Sequence, residues 1–444
     1  MSSIPARTQP GAGFLSSSQR GVWQGFTRPV RAPVQCAGGG AWSRASASGT
    51  GSRPIILGPC RRGDVKTISH LSYSDEYKDA EQAIKEIVVP TIRQHFPEMD
   101  FASSLVLYED IPTVLVGVRD PVAVRPFLQT EYGGLPVLLV SATTETRTDT
   151  LDPALIDRTA GKAIGASIAS SQADFAGTLG LFVREKSTKA ICALTAYHVV
   201  HTDDLVECPA KCDAEPMLAY LHASIAELED LIARRQSYNR DTSEYEITLA
   251  RSKSQLLQLT TPTTAWFGRI MAYIYHVPTQ ADPTHSDCAL IEVVDSEQLD
   301  DRNTYKHCGI PWTVTDFLDP NNEQVKRTDL LTMVGRSSGR TYAYKNEYKF
   351  HLSMTAHTGK VMETFESWAA WNESSNLTTK GDSGAAVVKQ HGMFQGDAIG
   401  IVNGGTILSI PTRVGYLPCD VTFFESITTA ADLLNFEVIG YDTP

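Results

Sequence analysis

The chain of 444 residues is too long for one ordinary compact domain and predicts two or three. Hydrophobic residues make up 42% of it and charged residues 20%, which excludes a wholly disordered or collagen-like chain, and no apolar run reaches the roughly 18 residues of a membrane span. Residues 1–62 contain eight arginines and no acid, so the remainder holds 31 basic and 51 acidic residues, a balance that argues against a nucleic-acid partner.

Residues 1–64 are rich in Ser, Gly, Pro and Arg and carry too little apolar surface to fold alone, which predicts a disordered tail. The tail lacks the apolar core of about 7–15 residues that a secretory signal needs. Its Arg-rich and Ser-rich composition is also typical of a mitochondrial transit peptide, and the sequence leaves both interpretations open. Either one predicts an intracellular protein, cytoplasmic or mitochondrial.

Residues 65–145 have the pattern of a small α/β module. Ser74 is a good N-cap for a helix whose apolar residues recur at helical spacing as far as Pro90, which kinks or ends it. Two strand-like runs follow at 104–109 and 113–118, and a short helix and a third strand complete an αββαβ order. No catalytic pattern occurs here, so we expect a structural appendage, and a regulatory role stays open.

Residues 160–444 have a different texture, with short β-type runs punctuated by glycine from Gly177 onward, as in an all-β barrel. One apolar run ends at Leu194 and leads directly to His198. Taken alone, a histidine at the end of a buried strand is more often a core imidazole bonded to the backbone than a functional group.

A second segment changes that interpretation. Ser383 lies between small residues in the run Gly381-Asp-Ser-Gly384, which precedes a β-type stretch. Small neighbours leave its hydroxyl accessible, and Gly381 permits a turn that directs backbone N–H groups at one point. Such donors stabilise the oxyanion formed when a serine attacks a carbonyl. A nucleophilic serine also needs a base, and that base needs an orienting carboxylate.

Asp287 is the best candidate for that carboxylate, because it immediately precedes a strand-like run between the other two segments. At the entrance of a strand its carboxylate would be partly buried. Asp203, Asp282 and Asp295 are alternatives, but they lie in loop-like or flanking contexts.

The three segments, in the order His, Asp, Ser, resemble the signature segments of the chymotrypsin/trypsin-like serine proteases, and the pattern is similar to intracellular trypsin-like peptidases of filamentous fungi. The resemblance implies a mainly β fold with two β-barrels. It implies that His198 is the general base, Asp287 its orienter and Ser383 the nucleophile, with the N–H groups of Gly381 and Ser383 forming the oxyanion hole. The expected function is a serine endopeptidase that acts on polypeptides through an acyl-enzyme and needs no cofactor.

The resemblance extends to the substrate-binding segments. The run 400–405 is similar to the strand with which the substrate backbone pairs, which assigns substrate binding to Asn403, Gly404 and Gly405. The floor of the specificity pocket falls on Leu377, six residues before the nucleophile. With no acid there, the expected preference is for an apolar or medium-sized side chain rather than for Arg or Lys.

Two features bear on activation. Residues 334–341 resemble the strand and turn that precede the active-site loop in this family, although a plain hairpin turn fits them as well. No cleavable activation segment is visible before Gly177. We therefore do not expect a newly freed amino terminus to pair with Asp382, and this acid needs another partner.

Residues 210–260 predict a helical insertion between the base and the acid. Five apolar residues step by three and four along one face: Leu218, Leu221, Ile225, Leu228 and Ile232. A weaker helix at 242–257 would return antiparallel and complete a hairpin. A surface hairpin, a lid over the cleft and a dimerisation arm that lets the protein self-associate all fit this pattern.

The sequence is less consistent with two other interpretations. Cys208 and Cys212 lie four residues apart near His201, but no second pair of ligands follows at a useful spacing, so we expect no metal site. The alternative to an active peptidase is a catalytically silent trypsin-like scaffold that binds partners. The presence of all three triad residue types argues against it.

Overall fold

A computed structural model describes most of the chain beyond the predicted tail, which lies outside the described residues. The described ranges are 68–145, 163–260, 267–276, 285–294, 299, 303–307, 310–355, 364–372, 377–391, 395–412 and 415–439. Within them the fold is mainly β, as predicted, with one sheet of eight strands and one of fourteen.

The segment 68–145 contains helices packed on three main strands. Its elements are β1 (Ile68–Ser69), α1 (Lys78–Ala83), α2 (Val89–His95), β2 (Phe101–Tyr108), β3 (Ile111–Val118), α3 (Pro121–Val124), β4 (Glu131–Tyr132) and β5 (Leu135–Glu145). A π-helical turn, Ile84–Val88, joins α1 to α2. The helical run therefore continues through Pro90, which lies in the first turn of α2, where a missing amide costs no helical hydrogen bond.

The next part of the chain forms most of the eight-stranded sheet. Its elements are β6 (Ser167–Ser170), β7 (Gly177–Thr178), β8 (Leu181–Glu185), β9 (Ile191–Thr195), α4 (Tyr197–Val200), β10 (Leu205–Glu207), α5 (Lys211–Ser237), α6 (Ser243–Thr260), β11 (Gly268–His276) and β12 (Ser286–Val293). The two long helices pack against each other, with Met217 and Leu221 of α5 buried against Leu256 and Leu259 of α6.

The remaining elements complete both sheets. They are β13 (Thr304–His307), β14 (Ile310–Phe317), β15 (Leu331–Gly335), β16 (Gly339–Lys345), β17 (Phe350–Ser353), β18 (Phe365–Trp371), β19 (Ala386–His391), β20 (Gln395–Thr412), β21 (Gly415–Ser426), α7 (Ile427–Leu434) and β22 (Phe436–Val438). In space the eight-stranded sheet runs β22-β8-β9-β12-β11-β10-β6-β7. The larger sheet follows the path β13-β14-β20-β19-β15-β16-β18-β17-β2-β3-β5-β4, with β1 on β2 and β21 on β18 and β20.

The segment 68–145 is continuous with the larger sheet. Strand β2 pairs antiparallel with β17, and β5 pairs antiparallel with β20. Val106 and Leu115 from this segment share one apolar cluster with Phe350 and Phe423. Its strands and core therefore extend those of the chain that follows.

Candidate active site

His198 and Asp287 are brought together by two neighbouring strands. Strand β9 ends at Thr195 and leads into the single turn α4, which carries His198. Strand β12 begins one residue before Asp287 and pairs with β9, with Ala289 opposite Thr195. The backbone N–H of His198 donates to Asp287 Oδ1 at 2.9 Å, and its Nδ1 hydrogen-bonds to Asp287 Oδ2.

Both side chains are buried, His198 at 2% exposed and Asp287 at 3%. Burial alone would raise the pKa of Asp287, but its charge interaction and hydrogen bonds with His198 hold that pKa below the ordinary value. The ionised Asp287 carboxylate can only accept, so His198 Nδ1 carries a proton. The other ring nitrogen, Nε2, is buried and has no hydrogen-bond partner among the residues that the structure describes. The carboxylate therefore fixes the orientation of the imidazole through Nδ1 and leaves Nε2 without a described partner.

The loop that carries Ser383 packs against the segment that carries His198. The carbonyl of Ser383 accepts from the Thr178 N–H at 2.7 Å. A Cβ placed on Gly384 would lie 2.1 Å from the Thr195 hydroxyl oxygen and 3.1 Å from the Ala196 nitrogen. Gly384 has φ +91, so only glycine fits this contact without strain. The structure therefore packs the 381–384 loop against the segment that carries His198. Ser383 is fully buried, in contrast to the accessible hydroxyl that its small neighbours predict, and His198 Nε2 makes no hydrogen bond to it.

Asp382, for which the sequence left the partner open, is completely buried and is held by backbone amides. Its Oδ1 accepts from the N–H groups of Ser337 at 2.8 Å and Ser338 at 3.2 Å, and its Oδ2 accepts from Thr379 N at 2.7 Å. Burial raises the pKa of Asp382 above its ordinary value, and these donors oppose the rise. The turn between β15 and β16 thus supplies two of the donors that hold the loop.

A buried ion pair anchors that turn, and sequence reasoning missed it. Arg336 donates through Nε to Asp213 Oδ2 and through Nη2 to Asp213 Oδ1, both at 2.6 Å, and neither side chain is exposed. Asp213 lies in the first turn of α5, 123 positions before Arg336. No local pattern signals a pair so far apart in the chain.

Glu425 is a second buried acid that the sequence did not single out. Its carboxyl oxygens accept from the Asp287 N–H at 3.1 Å, and the Cys288 thiol donates to it at 3.1 Å. Burial, and then the negative charge of Asp287, raise the pKa of Glu425 to about 8. Glu425 lies on β21, so it links the larger sheet to the strand entrance at which Asp287 lies.

The predicted substrate-binding residues lie on or near β20. Leu377 is buried in an apolar cluster with Val402 and Phe424, and its carbonyl accepts from the Thr341 hydroxyl at 2.7 Å. Asn403 lies at a bulge in the β20–β21 pairing and is 3% exposed. Neither polar atom of its amide has a hydrogen-bond partner among the described residues.

One edge of β20 changes its partner at this bulge. Strand β19 pairs with β20 as far as Ile401, and Val402 then exchanges hydrogen bonds with the 384–385 segment. Strand β5 begins its pairing with β20 at Gly405, whose other neighbour is Thr422 of β21. Gly405 is therefore flanked on both sides. Asn403 and Gly404 of β20 therefore lie between the last residue that pairs with β19 and the first that pairs with β5.

Two absences concern the described residues only. In these ranges no group of three or more His, Cys, Asp or Glu side chains gathers in a way that could hold a metal ion. Across the same part of the chain, no helix combines the length and the apolar character that crossing a membrane requires.

No protein-family model matches the chain, and no curated protein matches it either. Among solved structures it is similar to a glutamic-acid-specific serine protease that uses a histidine triad in substrate binding, with a TM-score of 0.36, 10% identity and coverage of 62% of this chain and 100% of that one. It is also similar to Nocardiopsis protease (NAPase), with a TM-score of 0.34, 10% identity and coverage of 62% and 97%. Likenesses of this size carry no functional weight, so function has to be inferred from the residues of the site.

Proposed function

We propose that this protein is a serine endopeptidase of the trypsin-like class, with Ser383, His198 and Asp287 as its triad. The observation that carries the proposal is the buried His198, whose Nδ1 is held by the Asp287 carboxylate and whose Nε2 has no partner among the described residues. It lies on a segment against which the Ser383 loop packs. A base with one nitrogen fixed and the other available is what activates a serine hydroxyl.

The reaction follows from these groups. Ser383 Oγ attacks the peptide carbonyl while its proton passes to His198 Nε2, and Asp287 stabilises the imidazolium that forms. The N–H groups of Gly381 and Ser383 stabilise the oxyanion. The imidazolium then protonates the departing amine, which leaves an acyl-enzyme. Water activated by His198 hydrolyses that ester and restores the serine.

The substrate side of the proposal centres on Asn403 and Gly404. An extended peptide binds by adding a strand to a sheet edge. The proposed edge is the stretch of β20 between its pairings with β19 and β5, where Asn403 and Gly404 are buried in this structure, so a bound peptide has to displace what covers them. The Asn403 amide offers a donor and an acceptor to the bound chain. Gly405 is already flanked by two strands, so its contribution is to shape this edge. The proposed pocket floor is Leu377, which is buried in an apolar cluster, and an apolar floor favours uncharged side chains.

Labelling with a fluorophosphonate probe tests the proposal, because the probe reacts with an activated serine. The full chain is expected to be labelled, and Ser383→Ala and His198→Ala are each expected to abolish labelling. Two matched controls, Ser187→Ala in an exposed turn and His391→Ala eight residues beyond the nucleophile, should label like the parent. Labelled protein should also cleave peptide amides and not esters alone.

Two results would count against the proposal. A folded parent that neither reacts with the probe nor cleaves unfolded casein would favour the silent, partner-binding alternative. Labelling that survives in Ser383→Ala would place the nucleophile elsewhere in the chain.

A further inference from the structure

We infer that Arg336 and Asp213 form a positioning pair through which the base of helix α5 holds the oxyanion-forming loop in its working shape. The inference rests on the proposed function for its kinetic consequence. The geometry that carries it, a buried contact from α5 through one turn to Gly381, stands independently of that function.

The charged groups of the Arg336–Asp213 pair have further hydrogen-bond partners, and burying two charges costs free energy. Besides the two 2.6 Å bonds from Arg336, Asp213 accepts from the Ser167 hydroxyl, and Arg336 Nη1 donates to the Ala176 carbonyl at 3.4 Å. A buried ion pair often stabilises a fold no better than well-packed apolar side chains of similar volume, because both ions lose their hydration. Stability alone therefore does not account for its presence here.

The guanidinium lies directly against Gly381. A Cβ placed on Gly381 would be 2.0 Å from Arg336 Nη1 and 2.2 Å from the Ser337 hydroxyl oxygen, and the φ of Gly381 is +98. The Arg336 N–H donates to Thr178 Oγ1 at 3.0 Å, and this hydroxyl donates to the Gly381 carbonyl at 2.9 Å. Both the α-carbon and the carbonyl of Gly381 are thus set by contacts that depend on where Arg336 lies.

The same turn holds the next residue of the loop. Ser337 and Ser338 directly follow Arg336, and their N–H groups donate hydrogen bonds to the Asp382 carboxylate. Three consecutive residues of the turn therefore contact two consecutive residues of the loop. Because Asp213 fixes the first of those three, a shift at the start of α5 is transmitted to the peptide groups that surround Ser383. Neither Arg336 nor Asp213 touches the reacting atoms, so both act by positioning.

Asp213→Asn tests the inference with little change in shape. We expect the kcat of peptide cleavage to fall about 10²-fold with KM nearly unchanged, which is the lower end of the loss caused by removing one oxyanion donor. Hydrogen exchange at the amides of residues 379–384 should accelerate at the same time. The matched control is Asp230→Asn in the same helix, where the Asp230–Arg234 pair is exposed, and it should change neither quantity.

A double variant separates positioning from stability. Asp213→Leu with Arg336→Met replaces the ion pair by apolar side chains and is expected to restore the unfolding temperature, because no unpaired charge remains buried. If the pair positions the loop, this stable double variant should still cleave peptides slowly. The amides of its residues 379–384 should still exchange hydrogen faster than those of the parent. Arg336→Lys should also cleave peptides slowly, because lysine keeps the positive charge but lacks the planar guanidinium that makes two hydrogen bonds to Asp213.

The inference is overturned if the double variant regains both the unfolding temperature and the parental kcat, or if exchange at 379–384 is the same in all variants. An inactive parent would refute the proposed function alone, since the exchange experiment needs no catalysis. If Asp213→Asn does not fold, the double variant and Arg336→Lys still decide between the two outcomes.

Discussion

The two halves of the candidate site are built in different ways. Asp287 lies on β12 and His198 lies on the turn α4 that follows β9, so the pairing of β9 with β12 brings the two residues together. The Ser383 loop belongs to the larger sheet and is held by distant groups: Thr178, the 336–338 turn and, behind it, Asp213. The pairing of β9 with β12 thus accounts for the proposed acid–base half, whereas the proposed nucleophile half depends on polar contacts between segments far apart in the chain.

The acid–base half should be the most sensitive to a single change. Asp287→Asn can donate to His198 Nδ1, which would place the imidazole proton on Nε2 and remove the base. We expect kcat to fall on the order of 10⁴-fold with little change in fold. Asp204→Asn, at an exposed position close to the same histidine in the chain, is the control and should cleave peptides at the parental rate.

Steady-state kinetics at pH 7 to 9 with one peptide substrate measures this effect. A loss of kcat of less than tenfold in Asp287→Asn would contradict this contrast. It would mean that the pairing of β9 with β12 does not determine the activity of His198 as a base.

The nucleophile half should respond to packing at Gly381. Gly381→Ala combines a left-handed backbone with a Cβ that would overlap the Arg336 guanidinium, and we expect a loss of roughly 2–5 kcal/mol in the free energy of unfolding. Gly134→Ala is the matched control. It has φ +76, and a Cβ there meets no described atom within 4 Å, so its cost should be about 1–2 kcal/mol from the backbone alone.

Urea denaturation of the two variants beside the parent measures the difference. Equal losses at both glycines would show that the loop yields to an added methyl group, and the contrast between the two halves would then disappear.

The same contrast explains what the sequence could predict. The mainly β class follows from short apolar runs separated by glycine, and His198, Asp287 and Ser383 each lie beside such a run. These signals are local. The Arg336–Asp213 pair, the bonds from the Ser337 and Ser338 amides to Asp382 and the pairing of β5 with β20 join residues 44 to more than 250 positions apart. Such contacts depend on tertiary packing, which a periodicity or a motif does not encode.

Glu425 connects the two halves of the candidate site. Its protonation is expected to have the smallest effect of the three changes considered. The carboxyl lies on β21 of the larger sheet and accepts from the N–H of Asp287 in the smaller one. Its pKa is about 8 in the folded protein, against an ordinary value of 4.5. Between these pH values the unfolded chain has lost this proton and the folded chain keeps it.

The free energy of unfolding of the parent should therefore contain a contribution that falls as pH rises from about 4.5 to about 8. The fall should be up to about 1.4 kcal/mol per pH unit, and the contribution should be constant outside this window. Glu425→Gln has no such proton to lose, so the stability difference between variant and parent should grow in the variant's favour across the window. Urea denaturation at several pH values measures it, with Glu292→Gln on the exposed face of β12 as the control. Parallel curves for Glu425→Gln and the parent would mean that the carboxyl ionises without cost beside Asp287, and that the junction of the two sheets admits solvent.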